Sequence, residues 1–243
     1  MNRAKKAILR ILGAKNIGRL EYYFRSQLKS SYGGPFNGQA HRQKIFNDIL
    51  RALPFEAIIE TGTCRGTTTE FMSRSGLPIY SVDNDPRLFE FASLRFRKNK
   101  NIRLFYGDSR SVLKQLAIDV QVPKQNIFFY LDAHPFNLRD DLPLREEVTF
   151  IFDSWKNSVV MIDDFQVPGT DYFFCDYGPG KRFDLEYLAP VTATLSLFFP
   201  SVGTDVETGG KSGCVIICRE SKVRAKLLNL TSIAIYGERV SSK

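Results

Sequence analysis

The sequence of 243 residues has no apolar run of about 18 residues, so no segment reads as a membrane-spanning helix. Glycine (17) and proline (11) are close to average usage, which excludes a collagen-like or broadly disordered chain. Cysteine is scarce. Cys64, Cys175, Cys214 and Cys218 do not form a paired framework, and the last two share one face of an expected strand, too extended for a bridge or a zinc knuckle. They read as reduced core thiols of a cytoplasmic protein. A secretory leader is also missing from the reading: "MNRAKKAILRILGAK" is basic, but Arg10 interrupts its apolar stretch and no small-residue cleavage site follows. The segment reads as retained, so the sequon at Asn229 carries no meaning.

What is present fits one large α/β domain, or a domain with a small appendage, at 43% apolar residues. The net charge of +8 is unevenly placed: residues 1–30 hold eight Lys or Arg against Glu21 alone. The remainder is close to neutral, so a nucleic-acid partner, which calls for a basic footprint around the site, is not expected. Ile8, Ile11 and Leu12, then Ile17, Leu20, Phe24 and Leu28, recur at roughly helical spacing, with Gly13 and Gly18 between. The division expected is a basic helical extension over 1–52 and a main domain over 53–243. The extension reads as two short amphipathic helices docked on the body, a homodimer contact, or an arm for a membrane surface or polyanion.

From residue 55 strands and helices alternate. Strands are expected at 57–59, 79–82, 102–106, 126–131 and 159–162, with helices starting near Thr67, Pro86, Ser109 and Leu144. Residues 194–199 and 213–218 flank the turn-rich "PSVGTDVETGG" as a hairpin would. The tail reads as a short helix and strand. Continuous apolar strands in such an alternation predict a mostly parallel sheet covered on both faces, a Rossmann-like three-layer fold.

Ligands of such sheets bind beyond the carboxyl ends of the strands. Each end here reaches an acid within a residue or two: Glu60, Asp83, Asp108, Asp132, and the pair Asp163 and Asp164. In "ETGTCRGTT" (60–68), Gly62 and Gly66 permit a tight turn, Thr63 follows the strand, and Thr67 and Thr68 open a helix with free amides. A phosphate loop would avoid a negative side chain just before it. Glu60 suits an ammonium group and the amides suit a carboxylate, which together describe an amino acid. Asp83 is placed to accept both hydroxyls of a ribose, and Asp108 or Ser109 to reach an adenine. An amino acid joined to an adenosine is S-adenosylmethionine. A nicotinamide enzyme would want a glycine where Cys64 stands. Asp85 before Pro86 reads as a helix cap.

With these residues in view, the chain resembles the class I S-adenosylmethionine-dependent methyltransferases. Within them it resembles the metal-dependent O-methyltransferases of the catechol and caffeoyl-CoA type, and the macrolide and aminocoumarin sugar O-methyltransferases. The matching segments are "ETGTCRGTT" (60–68), "VDNDP" (82–86), "GDS" (107–109), "LDAH" (131–134) and "IDDFQVPG" (162–169). The resemblance spans roughly residues 55–220 and implies a seven-stranded sheet closed by an antiparallel hairpin. It further implies Asp132, Asp163 and Asp164 as ligands of a divalent ion, with Mg²⁺ the usual choice. Such an ion can grip two neighbouring hydroxyls and lower the pKa of one. The alternative for Asp163 and Asp164 is a turn cap.

The sequence departs from the catechol pattern where the family's lysine base would fall, at Pro135. His134 is the substitute base; the alternative is that it binds substrate or packs in a loop. His41 reads as structural. "GTDYFFCDYGPGKRFD" (169–184) and "YGGPFNGQAHRQ" (32–43) are placed to shape a substrate pocket, and Glu146 and Glu147 read as solvated. The expected activity is metal-assisted O-methylation of a small hydroxylated molecule, such as a sugar, a glycosylated metabolite or a vicinal diol. A metal-independent methyltransferase acting on another acceptor, RNA or protein included, and a non-catalytic nucleotide-binding module are the alternatives.

Overall fold

The computed structural model describes residues 3–133 and 142–237, with side chains from residue 13 onward. The expected base His134 lies outside the described residues.

Five strands run parallel: β1 (Ala57–Thr61), β2 (Ile79–Asp83), β3 (Ile102–Tyr106), β4 (Ile127–Leu131) and β5 (Val159–Asp163). Three more, β6 (Ser196–Pro200), β7 (Cys214–Cys218) and β8 (Ile233–Ile235), pair antiparallel at one side. The order is β3-β2-β1-β4-β5-β7-β6-β8. Eight strands replace the expected seven, because the tail strand β8 covers the β6 edge in register Phe198 with Ile235. An uncovered edge would leave a row of backbone donors and acceptors unpaired.

Every residue of β1, β2, β4, β5 and β7 is buried, as their apolar runs require of a sheet covered twice. One face packs against α2 (Ala40–Ala52), α3 (Thr67–Ser73), α4 (Pro86–Phe96) and α8 (Ser221–Leu227), through Phe46, Met72, Ala92 and Val223. The other packs against α5 (Ser109–Ile118), α6 (Leu144–Ser154) and α7 (Leu185–Thr192), through Leu113, Val148 and Leu188. Burying one such side chain is worth about 1.5–3 kcal/mol, so the central strands dominate stability.

Local chemistry sets the helix starts. Asp85 accepts from the Arg87 and Leu88 amides at 2.7 and 3.2 Å with Pro86 in the first turn, as expected. The N-terminal helix α1 (Arg3–Phe24) is interrupted at Gly13, which is not helical, so the two expected short helices are present as two arms of one element. The second arm lies against α4: Tyr22 meets Phe91 edge-on at 5.6 Å, and Glu21 accepts from Arg87 Nε at 2.8 Å. His41 is tied to the Ser232 carbonyl at 2.9 Å, in keeping with a structural role.

Candidate functional site

The sheet order reverses between β1 and β4, which stand side by side while their chain neighbours leave in opposite directions. A cavity of about 760 Å³ opens beyond the carboxyl ends at that point.

The loop after β1 forms its floor. Gly62 has φ of 93°, and a Cβ there would stand 2.4 Å from the Asp132 carbonyl oxygen, so only glycine lets this turn lie against the end of β4. Gly66, at φ 76°, caps α3, and a Cβ there would meet the Phe96 ring at 2.3 Å. Glu60 is 1% exposed yet borders the cavity. Its Oε2 accepts from the Thr69 and Ser81 hydroxyls at 2.6 and 2.5 Å. Burial pushes its pKa up to about 7, against the pull of those hydroxyls. Thr63 pairs with Ser81 at 2.5 Å, and Thr67 and Thr68 line the same wall.

Asp83 accepts from the Cys64 amide at 2.7 Å and from the Asp85 amide at 2.8 Å, one on each oxygen. A carboxylate has about four acceptor positions, so two remain for a ligand. Burial raises its pKa to about 6. At the third strand end the expected adenine residues part company. Ser109 lines the cavity and is buried, whereas the Asp108 carboxylate caps α5 and is held by Arg110 at 2.8 and 3.0 Å. The Arg110 guanidinium keeps Asp108 below the usual carboxylate range. Asp108 still borders the cavity, but its charge is already matched.

The acid set at the fourth and fifth strands differs from the metal-ligand expectation. Asp132 and Asp164 border the cavity. Asp163 does not reach it: fully buried, it pairs with Arg42 and accepts from the Tyr130 hydroxyl at 2.6 Å and from the Asp164 amide at 2.8 Å. Among the described residues, no three His, Cys, Asp or Glu side chains are grouped to hold a metal ion. The physical reason is the competing cation. Arg42 is 1% exposed, also donates to the Ser212 carbonyl, and satisfies the charge that a divalent ion would have balanced. A three-carboxylate metal site therefore does not fit these residues. Burial, with the neighbouring Asp163 charge, raises the pKa of Asp132 well above its ordinary value and that of Asp164 to about 7.

The two loops expected to shape a substrate pocket both border this cavity. Tyr32, Gly34 and Asn37 border the cavity, and their segment is anchored by Phe36, whose amide donates to Thr68 Oγ1 at 3.0 Å. Phe173 and Cys175 from the later loop close the far side, with Cys175 Sγ at 3.6 Å from Asp164 Oδ2.

Three residues escaped the sequence reading. Arg42 falls among Ile45, Phe46 and Ile49 on the buried face of α2, and a cation in that apolar stripe was the available signal. Arg65, in the loop after β1, borders the cavity with its Nε buried and without a partner among the described residues. Glu147, expected to be solvated, is 1% exposed on the inner face of α6. Burial raises it to about 7, with the Ser109 hydroxyl bonding beside it. Glu146 is exposed as expected and meets Arg110 at 3.2 Å.

No family model and no curated protein matches this sequence. Solved structures do. A candidate O-methyltransferase from Klebsiella pneumoniae is 14% identical with a TM-score of 0.55, over 89% of this chain and 96% of that one. The O-methyltransferase from Bacillus cereus, solved in complex with SAH, is 15% identical with a TM-score of 0.55, over 88% and 96%. At such identity the likeness concerns the backbone fold alone. The chain shares an α/β Rossmann-like fold with these two O-methyltransferase structures.

Proposed function

We propose that the protein is an S-adenosylmethionine-dependent methyltransferase acting on an oxygen of a small hydroxylated acceptor. The observation that carries this reading is the meeting of Glu60, the Gly62 turn and Asp83 at one cavity. When bound, the cofactor supplies an electrophilic methyl group on a sulfonium centre.

The residues present suit that ligand. Glu60 faces an ammonium, and Arg65 offers its unpartnered Nε to a carboxylate. Asp83 keeps free acceptor positions for two ribose hydroxyls, and Ser109 stands where the base would lie. The protein's own chemistry is then to orient the acceptor and remove its proton. Alignment of acceptor and methyl can supply several kcal/mol, up to about 7–11 in well-oriented systems. Asp132 and Asp164 border the acceptor end, and a carboxylate raised to about 7, as Asp164 is, makes an effective base near neutrality. His134, two residues beyond Asp132 in the chain, is the second base candidate. Because Arg42 holds Asp163, no step is assigned to a divalent ion. The likeness to two O-methyltransferase folds supports the oxygen acceptor.

The deciding experiment is a melting titration with S-adenosylhomocysteine. At about 100 times its dissociation constant a ligand adds about 2.7 kcal/mol of stability, which for a chain of this size is roughly 5–10 °C. No shift at saturation would overturn the reading. Separate Asp164→Asn and His134→Ala variants, assayed on a panel of polyols and sugars with and without Mg²⁺ and EDTA, then identify the base and any metal requirement.

A further inference from the structure

The second arm of α1 has two unlike sides. Gly18 and Glu21 are buried against α4, where Glu21 takes Arg87 and Arg25 and Arg19 reaches Glu90 at 2.6 Å. The opposite side carries Leu20, Tyr23 and Phe24, which are 43%, 61% and 79% exposed. Their spacing of three and four residues makes one apolar stripe along the helix. Lys15 is exposed beside it, and Arg19 and Arg25, although paired with Glu90 and Glu21, stay more than half exposed. The preceding sequence adds Arg3, Lys5, Lys6 and Arg10, so residues 1–30 hold eight basic residues against one acid.

A helix with exposed aromatic and aliphatic residues on one stripe and basic residues along its flanks matches the water–lipid boundary. Its rings enter the headgroup layer while Lys and Arg meet lipid phosphates. We infer that α1 docks the protein on an anionic lipid bilayer. Charge complementarity decides the partner. A second copy of this chain would bring the same excess of positive charge to the contact. A nucleic acid would use the basic residues but leave Phe24, the most exposed large apolar side chain of the stripe, uncovered. Tyr32, eight residues beyond Phe24, is likewise 61% exposed and borders the cavity. No helix among the described residues is long and apolar enough to cross a membrane, so the contact is peripheral.

The test is sedimentation of the full chain, without cofactor, on phosphatidylcholine vesicles with and without phosphatidylglycerol. This readout is independent of the methyltransferase reading. The expected result is binding only when phosphatidylglycerol is present, weakening as salt rises. Leu20→Glu and Phe24→Glu should each reduce partitioning at least about tenfold, and Lys5→Gln and Lys6→Gln about fivefold each. Tyr23→Ala, which removes a ring without adding charge, should also reduce it. An unchanged melting temperature in each variant shows that the fold is intact. Absence of sedimentation, equal binding to phosphatidylcholine alone, or binding unaffected by Phe24→Glu overturns the proposal. So does a dimer, or a duplex oligonucleotide complex, that the same apolar substitutions abolish while vesicle binding stays unchanged.

Discussion

Asp163 turns to Arg42 and away from the cavity, although Asp164 beside it lines that cavity. The pair joins the start of α2 to the end of β5 across 121 residues of sequence. Asp163 is the last residue of β5, while Asp164 just beyond it takes a left-handed backbone at φ 50°, so the buried guanidinium takes one acid and the cavity receives the other.

Replacing Arg42 by Met should destabilise the protein by about 3–5 kcal/mol, since it leaves a buried carboxylate unpaired. The pair holds Asp163 below its ordinary range despite full burial. For a lowered acid, the stabilisation is present above the unfolded pKa of about 4 and is lost as pH falls through the folded value. The gap between wild type and Arg42→Met should therefore narrow as pH falls below about 4. Asp163→Asn added to Arg42→Met should recover part of the loss. Denaturant unfolding at several pH values reads this, and a gap that widens on acidification contradicts the ion pair.

Asp83 offers a direct test of the ribose assignment. Hydrogen bonds to a charged acceptor contribute about 1.5–3 kcal/mol, so Asp83→Ala should weaken S-adenosylhomocysteine roughly tenfold to a hundredfold by calorimetry. Asp83→Asn should fall between that variant and wild type. Equal affinity in all three would remove Asp83 from the site.

Gly62→Ala forces a Cβ to within 2.4 Å of the Asp132 carbonyl oxygen at φ 93°. Left-handed strain costs about 1–2 kcal/mol and overpacking about 1–3. The variant should melt roughly 5–10 °C lower and lose cofactor binding. A stable variant that binds normally would mean that the turn is not held by this contact.

Cofactor affinity should depend on pH through Glu60, which burial raises to about 7. A raised acid favours the folded state below its unfolded pKa of about 4, and that advantage is lost as pH rises toward 7. Asp83 at about 6 and Glu147 at about 7 act with the same sign, so the free protein should lose stability across this window. An ammonium ligand favours ionised Glu60. S-adenosylhomocysteine should therefore bind more tightly from pH 6 to 7, release protons on binding, and level off above. Calorimetry in buffers of different ionisation enthalpy measures the protons, and flat affinity with no release would exclude Glu60 as the partner.

Much of this was legible in the sequence, and the rest was not, for one physical reason. Apolar runs, the glycine-marked turn and the Asp85–Pro86 cap are local features, so the alternation of strands and helices, the loop after β1 and the phasing of acids at strand ends could be read directly, whereas the contacts of Gly62 with Asp132 and of Gly66 with Phe96 exist only in the fold. The role of each acid depends on what packs against it from elsewhere. Arg110 takes Asp108, Arg42 takes Asp163, and Glu147 goes inward beside Ser109 because α6 packs on α5. A short tail strand was expected, but its place as the eighth strand of the sheet awaited its partner, since Ile233–Ile235 pairs only where β6 offers an open edge. A carboxylate at a strand end is a local fact of sequence. Whether it meets a ligand or an arginine is settled by desolvation and charge pairing, which exist only once the distant segments have come together.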